Sequence, residues 1–169
     1  MLFRSLFGDH IDTDAIIPGE FCHLVDLEPL GEHCFHYVAP GFKDRVTAGQ
    51  SVVVAGEAWG SGSSREQAVW ALKGAGVQIV IARSFAFIHK RNLVNEAVPH
   101  VVLDDDDFHA LAEDGAVVEV DLASGQVRVG GRVFQAETPS RMVQALAASG
   151  GIVPAILDHG DSVFERLTA

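Results

Sequence analysis

The middle of this 169-residue chain combines a strand pattern, a glycine-rich turn and a helix pattern in direct succession. The apolar run Ser51–Ala55 predicts a buried strand, and Gln67–Ala75, with alanine and leucine on one face, predicts a helix. Between them stands Gly60-Ser61-Gly62-Ser63-Ser64-Arg65-Glu66. Further apolar runs separated by helix patterns indicate strands that are covered on both faces and run partly parallel. The sequence therefore predicts an α/β fold.

The glycine-rich segment has the features of an anion site. Glycines let the backbone turn tightly, and the first turn of the following helix offers unpaired N–H groups and the positive end of the helix dipole. Ser63 and Glu66 also have the spacing of a capping box, as do Ser64 and Gln67, so helix capping alone is an alternative. Arg65 favours a ligand, because a cation in a first helical turn opposes the dipole and is tolerated best with an anion to hold.

Three familiar glycine motifs do not fit this segment. Gly60 and Gly62 lack the third glycine of a dinucleotide-binding loop, and no Gly-Lys-Ser/Thr follows as in a P-loop. No serine is flanked as in a nucleophile elbow. These mismatches disfavour nucleotide binding and simple serine hydrolysis.

Composition narrows the class of protein. With 48% hydrophobic residues, the chain is long enough for one well-packed domain, which we expect to span residues 1–169. The net charge of −11 disfavours binding to nucleic acid and to an anionic membrane surface. Two cysteines, with no signal-peptide pattern and no long apolar span, predict a soluble cytoplasmic protein with reduced thiols.

The remaining patterns place further elements around this centre. Residues 12–14 predict an acidic turn. A helix predicted at residues 84–96 is expected to face the core with its apolar residues and to expose Asn92 and Asn95. The tail from residue 152 gives no clear pattern. The other predicted elements are strands at 2–7, 77–82 and 99–103, helices at 28–37, 104–113 and 140–148, and a β-meander at 117–121, 126–129 and 132–136.

Two cysteines and three histidines raise the hypothesis of a metal site. They are Cys22, His23, His33, Cys34 and His36. Zinc sites are generally built from tighter pairs, and the adjacent Cys22 and His23 cannot easily converge on one ion. Hydrogen-bonded or exposed histidines are the better explanation, and a zinc-binding domain is the weakest alternative.

Three separated segments resemble one known family. They are Asp12-Thr13-Asp14-Ala15-Ile16-Ile17-Pro18, residues 60–66, and Ala82-Arg83-Ser84-Phe85-Ala86 continuing to Arg91-Asn92-x-x-Asn95. In this order and spacing they are similar to the small subunits of the isopropylmalate isomerase and homoaconitase family, over roughly residues 5–160. The resemblance implies the fold of an aconitase swivel domain, which is a swivelling β/β/α domain with a mixed sheet and flanking helices.

The resemblance also implies roles for several residues. Ser63 corresponds to the general base that removes the proton α to a carboxylate. Ser64 and Arg65 correspond to groups that bind a substrate carboxylate. Asp14 is expected at the mouth of the site, as a catalytic residue beside Ser63 and Arg65. The further residues expected to contact the substrate are Asp12, Thr13 and His23.

The same resemblance implies a partner. Members of the family work with a large subunit that carries a four-iron, four-sulfur cluster, and removing hydroxide from an unactivated carbon does need a Lewis acid. Two cysteines cannot supply the three thiolates that such a cluster uses. We therefore expect no cofactor in this chain, a cluster in the large subunit, and activity only in the complex.

The expected substrate is a small 2- or 3-hydroxy dicarboxylic acid. 3-Isopropylmalate, an intermediate of leucine biosynthesis, ranks first, and homoaconitate, citraconate-type and dimethylmalate-type acids follow. His23 lies in a segment that resembles the specificity loop of the family, where homoaconitate enzymes tend to have arginine and isopropylmalate enzymes an apolar residue. The alternative of another class is a carboxylate-binding or regulatory module without turnover.

Overall fold

The computed structural model describes residues 2–47, 50–113, 115–163 and 165. No helix within these residues is long and apolar enough to cross a membrane. The helices and strands are, in chain order, β1 (Leu2–Leu6), α1 (Thr13–Ile16), α2 (Leu27–Glu32), α3 (Phe42–Arg45), β2 (Ser51–Ala55), α4 (Gln67–Ala75), β3 (Ile79–Ala82), α5 (Phe87–Asn95), β4 (His100–Val102), α6 (Asp106–Leu111), β5 (Val117–Asp121), β6 (Gln126–Val129), β7 (Arg132–Gln135), α7 (Arg141–Ala148) and α8 (Ile152–His159).

Seven strands of the described chain form one mixed sheet in the order β4-β3-β2-β1-β5-β6-β7. The first four are parallel to one another, and β5, β6 and β7 form an antiparallel meander. β1 joins the two halves, because it pairs parallel with β2 and antiparallel with β5. The predicted α/β fold with a mixed sheet and flanking helices is confirmed.

Hydrophobic side chains pack on both faces of this sheet. On β2, Val53 and Ala55 belong to a core that contains α2 and α4, whereas Val52 and Val54 belong to a second core that contains α6 and the meander. This alternation explains why every residue of β2 is buried. Burying a valine stabilises a fold by about 1.5–3 kcal/mol, so β2 anchors both layers.

On the first face, α2 and α4 cross at two glycines. A Cβ on Gly74 would overlap the Leu27 carbonyl oxygen, and a Cβ on Gly31 would overlap the Gly74 backbone. Only residues without a side chain allow two backbones to approach so closely. The contact ties the segment before α2 to the helix that follows the glycine-rich turn.

Three predicted helices, at 28–37, 84–96 and 104–113, are shorter than expected, and for the first two the difference has a tertiary cause. The helix predicted at 28–37 ends early, as α2, and Phe35 in the following turns has a positive φ of 56° while its N–H donates to the Ile16 carbonyl oxygen at 2.8 Å. The helix predicted from residue 84 begins at Phe87, because the preceding residues bond to Trp59 instead. The tail that gave no sequence pattern contains α8.

Candidate functional site

The loops that follow β1, β2 and β3 meet at one edge of the sheet. These three strands are parallel neighbours, so their carboxyl ends lie side by side, where open α/β sheets generally bind ligands. Their loops contain residues 11–18, 60–66 and 83–86, which are the segments that the family resemblance singled out. The fold therefore brings these three segments together at one edge of the sheet.

Backbone hydrogen bonds join the glycine-rich loop to the loop after β1. The Gly60 N–H donates to the Ile11 carbonyl oxygen and the Thr13 N–H donates to the Ser61 carbonyl oxygen, both at 2.8 Å. Gly60 and Gly62 have φ values of 75° and 98°. Residues with a side chain rarely adopt such values, so the turn needs glycine at both positions.

Two neighbouring side chains hold the hydroxyl of Ser63. Its Oγ lies 2.9 Å from Thr13 Oγ1 and accepts a 2.7 Å hydrogen bond from Arg65 Nε. The Ser63 N–H donates to Thr13 Oγ1 at 3.0 Å, which leaves the Thr13 hydroxyl proton free to point at Ser63 Oγ. Either hydroxyl can donate in the Ser63–Thr13 contact, and when Thr13 donates, the Ser63 oxygen has two donors.

The guanidinium of Arg65 has two further partners. Nη2 donates to Asp14 Oδ1 at 2.6 Å, and Nη1 donates to the Cys22 sulfur at 3.5 Å. The hydrogen bond to Cys22, followed by those of Asp14, raises the pKa of Arg65 against the opposing effect of burial. The Arg65 and Asp14 side chains are 32% and 59% exposed. So exposed an ion pair contributes about 0–1 kcal/mol, and a ligand carboxylate can replace Asp14 at little cost.

Neither serine caps α4, so the alternative that these serines only cap the helix does not hold. The residue at the N-cap is Glu66, and its side chain makes no capping hydrogen bond. Ser63 is held as described above, and Ser64 is exposed, with its carbonyl oxygen accepting a 3.1 Å hydrogen bond from Asn92 Nδ2. The positive end of the helix is thus left without a side-chain cap, as an anion site requires.

The two aspartates near α1 act differently. The Asp12 carboxylate accepts the Ala15 N–H at 2.7 Å and caps α1, which makes the predicted acidic turn the start of a helix. Asp14, in the first turn of that helix, is exposed and bonds to Arg65. Thr13 between them is buried. Asp14 is therefore the most accessible of the three side chains.

The loop after α1 reaches Arg65 through Cys22. The Cys22 carbonyl oxygen also accepts a 3.5 Å hydrogen bond from Gln67 Nε2, at the start of α4. The next residue, His23, is exposed, and its Nδ1 lies 2.7 Å from the Glu20 carbonyl oxygen. His23 therefore lies one residue from a partner of Arg65, while its own ring hydrogen bond stays within the loop.

The cysteines and histidines do not gather into a metal site. Among the residues that the structure describes, no three side chains of His, Cys, Asp or Glu are grouped so as to hold a metal ion. His33 instead stacks on Phe21, with ring centroids 3.9 Å apart. Burial raises the pKa of the Cys34 thiol, which opposes the thiolate form that binds metals. The geometry gives no support to a zinc-binding domain.

The sequence patterns missed the polar residues on the buried face of α5. His89 and Asn92 are each 1% exposed, so the solvated face predicted for Asn92 was wrong. Burial, with a smaller contribution from His100, lowers the pKa of His89 to about 4. The spacing of these residues could have indicated their burial, because His89 lies three residues before Asn92 and four residues before the apolar Leu93, on the same helical face.

Comparisons with known proteins identify the family. The family model of the aconitase C-terminal domain matches residues 35–105. The chain is 43% identical over 165 residues to 3-isopropylmalate dehydratase small subunit 1 of Methanopyrus kandleri, an alignment that covers 95% of this chain and 94% of that protein. The chain belongs to the aconitase-type small-subunit family. The chain is also 40% identical over 149 residues to the methanogen homoaconitase small subunit of Methanocaldococcus jannaschii, covering 87% of this chain and 85% of that one.

The chain also resembles a solved structure and part of longer proteins. The crystal structure of a 3-isopropylmalate dehydratase from Methanocaldococcus jannaschii superposes with a TM-score of 0.85 at 35% identity, covering 99% of this chain and 97% of that one. An aconitase of Alternaria alternata is 44% identical over 160 residues, which cover 94% of this chain but 19% of the aconitase. The chain thus spans about a fifth of the length of the aconitases that it matches.

Proposed function

We propose that this chain works in a heteromeric hydro-lyase that isomerises or dehydrates a 2- or 3-hydroxy dicarboxylic acid, with Ser63 as the general base. The observation that carries the proposal is the position of Ser63 Oγ, which accepts a hydrogen bond from Arg65 Nε at 2.7 Å and lies 2.9 Å from Thr13 Oγ1. Relatives that are 37–43% identical over most of this chain are named as small subunits of such enzymes, which supports the proposal.

Ser63, ionised to its alkoxide, takes the proton from the carbon α to a substrate carboxylate, and the C–H electron pair forms the double bond as hydroxide leaves. A serine hydroxyl is a weak base unless its alkoxide is stabilised. Arg65 Nε and the Thr13 hydroxyl supply two donors to Oγ, and the Arg65 backbone N–H, whose nitrogen is 3.5 Å away, supplies a weaker third. Donors that are in place before the reaction lower the energy of a developing oxyanion. In the reverse direction, the protonated serine returns its proton to the carbon.

Arg65 also binds a substrate carboxylate. Its two terminal nitrogens form the fork that suits a carboxylate, and their present partners, Asp14 and Cys22, are an exposed carboxylate and a weakly bonded sulfur. Ser64 and the uncapped start of α4 offer further donors to the same anion. When a substrate carboxylate takes the place of Asp14 on Arg65, the Asp14 carboxylate is left at the mouth of the site, beside the hydroxyl group that leaves the substrate. Asp12 and His23 are the remaining proposed substrate contacts, whereas Thr13, which was also expected to contact the substrate, is buried and acts through Ser63.

The reaction needs a Lewis acid to help hydroxide leave, and the cysteines of this chain do not fit a four-iron, four-sulfur cluster. The chain has two cysteines where such a cluster uses three thiolates. Cys34 is buried with a raised pKa, and Cys22 bonds to Arg65. A large partner subunit therefore carries the cluster, and the complex is formed in the cytoplasm.

3-Isopropylmalate is the first candidate substrate, which would place the enzyme in leucine biosynthesis. Several relatives are named as 3-isopropylmalate dehydratase small subunits, and one is named as a homoaconitase small subunit. Homoaconitate is therefore the second candidate, ahead of citraconate-type and dimethylmalate-type acids. His23 directly follows Cys22, whose sulfur accepts a hydrogen bond from Arg65, so His23 is the first residue to vary in testing this choice.

Replacement of Ser63 tests the proposal. The chain is assembled with its cluster-loaded large subunit and assayed with 3-isopropylmalate and with homoaconitate. Ser63→Ala is expected to lower kcat by about 10²–10⁴-fold, the contribution of a general base, with assembly unchanged. Ser61→Ala is the matched control, because this hydroxyl in the same loop makes no hydrogen bond to the described residues, and its activity should stay near that of the wild type.

The same experiment separates the two classes of function. Retained turnover in the Ser63→Ala complex would remove Ser63 as the base. A wild-type chain that binds dicarboxylates through Arg65, with no cluster-bearing partner and no turnover, would favour the carboxylate-binding module.

A further inference from the structure

The buried face of α5 lies behind the glycine-rich loop. The helix begins directly after the loop of β3, where the Ala86 N–H donates to the Trp59 carbonyl oxygen at 2.8 Å. That bond places the start of α5 beside Gly60, the next residue of the loop. His89 and Asn92, on the face of α5 that turns toward the loop, are almost fully buried. Neither side chain has a place in the proposed reaction.

His89 fills the space that Gly60 leaves. A Cβ built on Gly60 would overlap the His89 ring at Cγ and Cδ2, so the ring lies directly against the backbone of the loop. With its φ of 75°, Gly60 already has a backbone conformation that other residues avoid. The ring therefore fixes one end of the glycine-rich loop from behind.

Asn92 holds the other end of the loop. Its Nδ2 donates to the Ser64 carbonyl oxygen at 3.1 Å, and this carbonyl belongs to the residue that directly follows Ser63. Its Oδ1 is buried without a hydrogen-bond partner in residues 2–47, 50–113, 115–163 and 165. An unpaired buried amide oxygen costs free energy. The side chain thus stabilises the fold less than an apolar residue of the same shape would, and its one hydrogen bond is directed to the loop.

We infer that Asn92 is a positioning residue, which sets the direction of the Ser63 hydroxyl by holding the Ser64 carbonyl. The Ser63 backbone lies between two fixed points, namely Gly60 against His89 and Ser64 on Asn92. With the backbone fixed at both ends, Ser63 Oγ stays within reach of Arg65 Nε and of the Thr13 hydroxyl. The inference rests on the proposed function only where it concerns the base, and its backbone part can be tested without turnover.

Asn95 provides a matched control on the same helix. It is the second asparagine of the sequence motif, but it is half-buried, and its side chain makes no hydrogen bond within the described part of the chain. Removing the Asn95 amide therefore changes the same chemical group on the same helix without touching the loop.

Amide hydrogen exchange of the full isolated chain tests the backbone part. The Ser63 N–H donates to Thr13 Oγ1 and reports on the geometry of the loop. Asn92→Ala is expected to speed its exchange about tenfold, as the loss of one hydrogen bond permits, while the N–H groups of Val54 and Val80 in the sheet keep their rates. Asn92→Leu fills the cavity without restoring the amide, so it should show the same change, and Asn95→Ala should show none.

Steady-state kinetics of the assembled complex test the link to the base. Asn92→Leu is expected to lower kcat by about 10²-fold, the scale of a small misplacement of a reacting group, while KM for the dicarboxylate stays within about twofold. An exchange rate of the Ser63 N–H that equals the wild-type rate in Asn92→Leu overturns the inference, whatever reaction the chain serves. Faster exchange with an unchanged kcat in an active complex also overturns it. If the wild-type complex has no dehydratase activity, the proposed function fails while the exchange result still decides whether Asn92 holds the loop.

Discussion

Thr13→Val tests how the protein holds the Ser63 hydroxyl. Valine replaces the threonine hydroxyl by a methyl group of similar size, so the change opens no cavity. Thr13 Oγ1 accepts the Ser63 N–H at 3.0 Å and lies 2.9 Å from Ser63 Oγ, and Thr13 is buried. The substitution therefore removes two hydrogen bonds to a single residue while the volume of the side chain stays nearly constant.

The magnitude of this change follows from these contacts. Each lost hydrogen bond costs about 0.5–1.5 kcal/mol of net stability, and burial of the new methyl group returns part of it. We expect the free energy of unfolding to fall by about 1–2 kcal/mol. Each kcal/mol lowers Tm by about 2–4 °C. Loss of one oxyanion donor costs about 10²–10³-fold in kcat. Because Arg65 Nε still bonds to Ser63, the lower end of that range is expected.

Two assays and one control decide the outcome. Thermal unfolding of the isolated chain measures the stability, and steady-state kinetics of the complex measure kcat and KM. KM should change little, because the terminal nitrogens of Arg65 keep their geometry. Thr13→Ser retains the hydroxyl and should recover most of kcat. If Thr13→Val has the kcat of the wild type, the Thr13 hydroxyl does not support the base, and the proposed stabilisation of the alkoxide is refuted.

Two further predictions concern Arg65 and His89. Arg65→Lys should raise KM for a dicarboxylate about tenfold or more in steady-state kinetics, since one ammonium group replaces the fork of the guanidinium; an unchanged KM would contradict the role in carboxylate binding. The isolated chain should lose stability as the pH falls from about 6.5 toward 4, because His89 has a pKa of about 4 when folded, so the unfolded chain takes up the proton first. At about pH 5 the loss attributable to His89 is about 2 kcal/mol. Urea unfolding of the wild type and of His89→Phe at pH 7.5 and pH 5 measures this loss of stability. If the stability of both proteins depends equally on pH, the loss does not come from His89.

The parallel half of the sheet could be predicted because its strands have a simple pattern. In Ser51–Ala55 one serine is followed by four consecutive apolar residues, as expected of a strand covered on both faces, and the predicted bounds are those of the structure. The meander was predictable for a similar reason, since alternation and Gly125 mark its strands and first turn. The helix predicted at 28–37 was too long, because spacing alone does not show that Phe35 leaves the helical region.

The candidate site could be predicted only in part. The resemblance pointed to Ser63, Arg65 and Asp14, and the structure brings these three side chains into one hydrogen-bonded group. The local spacing allowed Ser63 to cap a helix. In the structure its hydroxyl is instead hydrogen-bonded to Thr13, which lies fifty positions away in the chain. Asn92 was expected to face solvent because its side chain is polar. The structure buries it, because it lies on the same helical face as Leu93. Long-range contacts decide both outcomes, and no short sequence window contains them.

The crossing of Gly31 and Gly74 has a consequence for engineering. It fixes α2 on α4, and the Gln67 side chain at the start of α4 holds Cys22 in the loop before α2. Residues 20–25 are therefore held in place by two contacts with α4, the helix that begins just after Arg65. The exposed side chains there, such as His23 and Val25, can be exchanged while Cys22 keeps its contact with Arg65, so altered substrate preference and retained proton transfer can be selected separately.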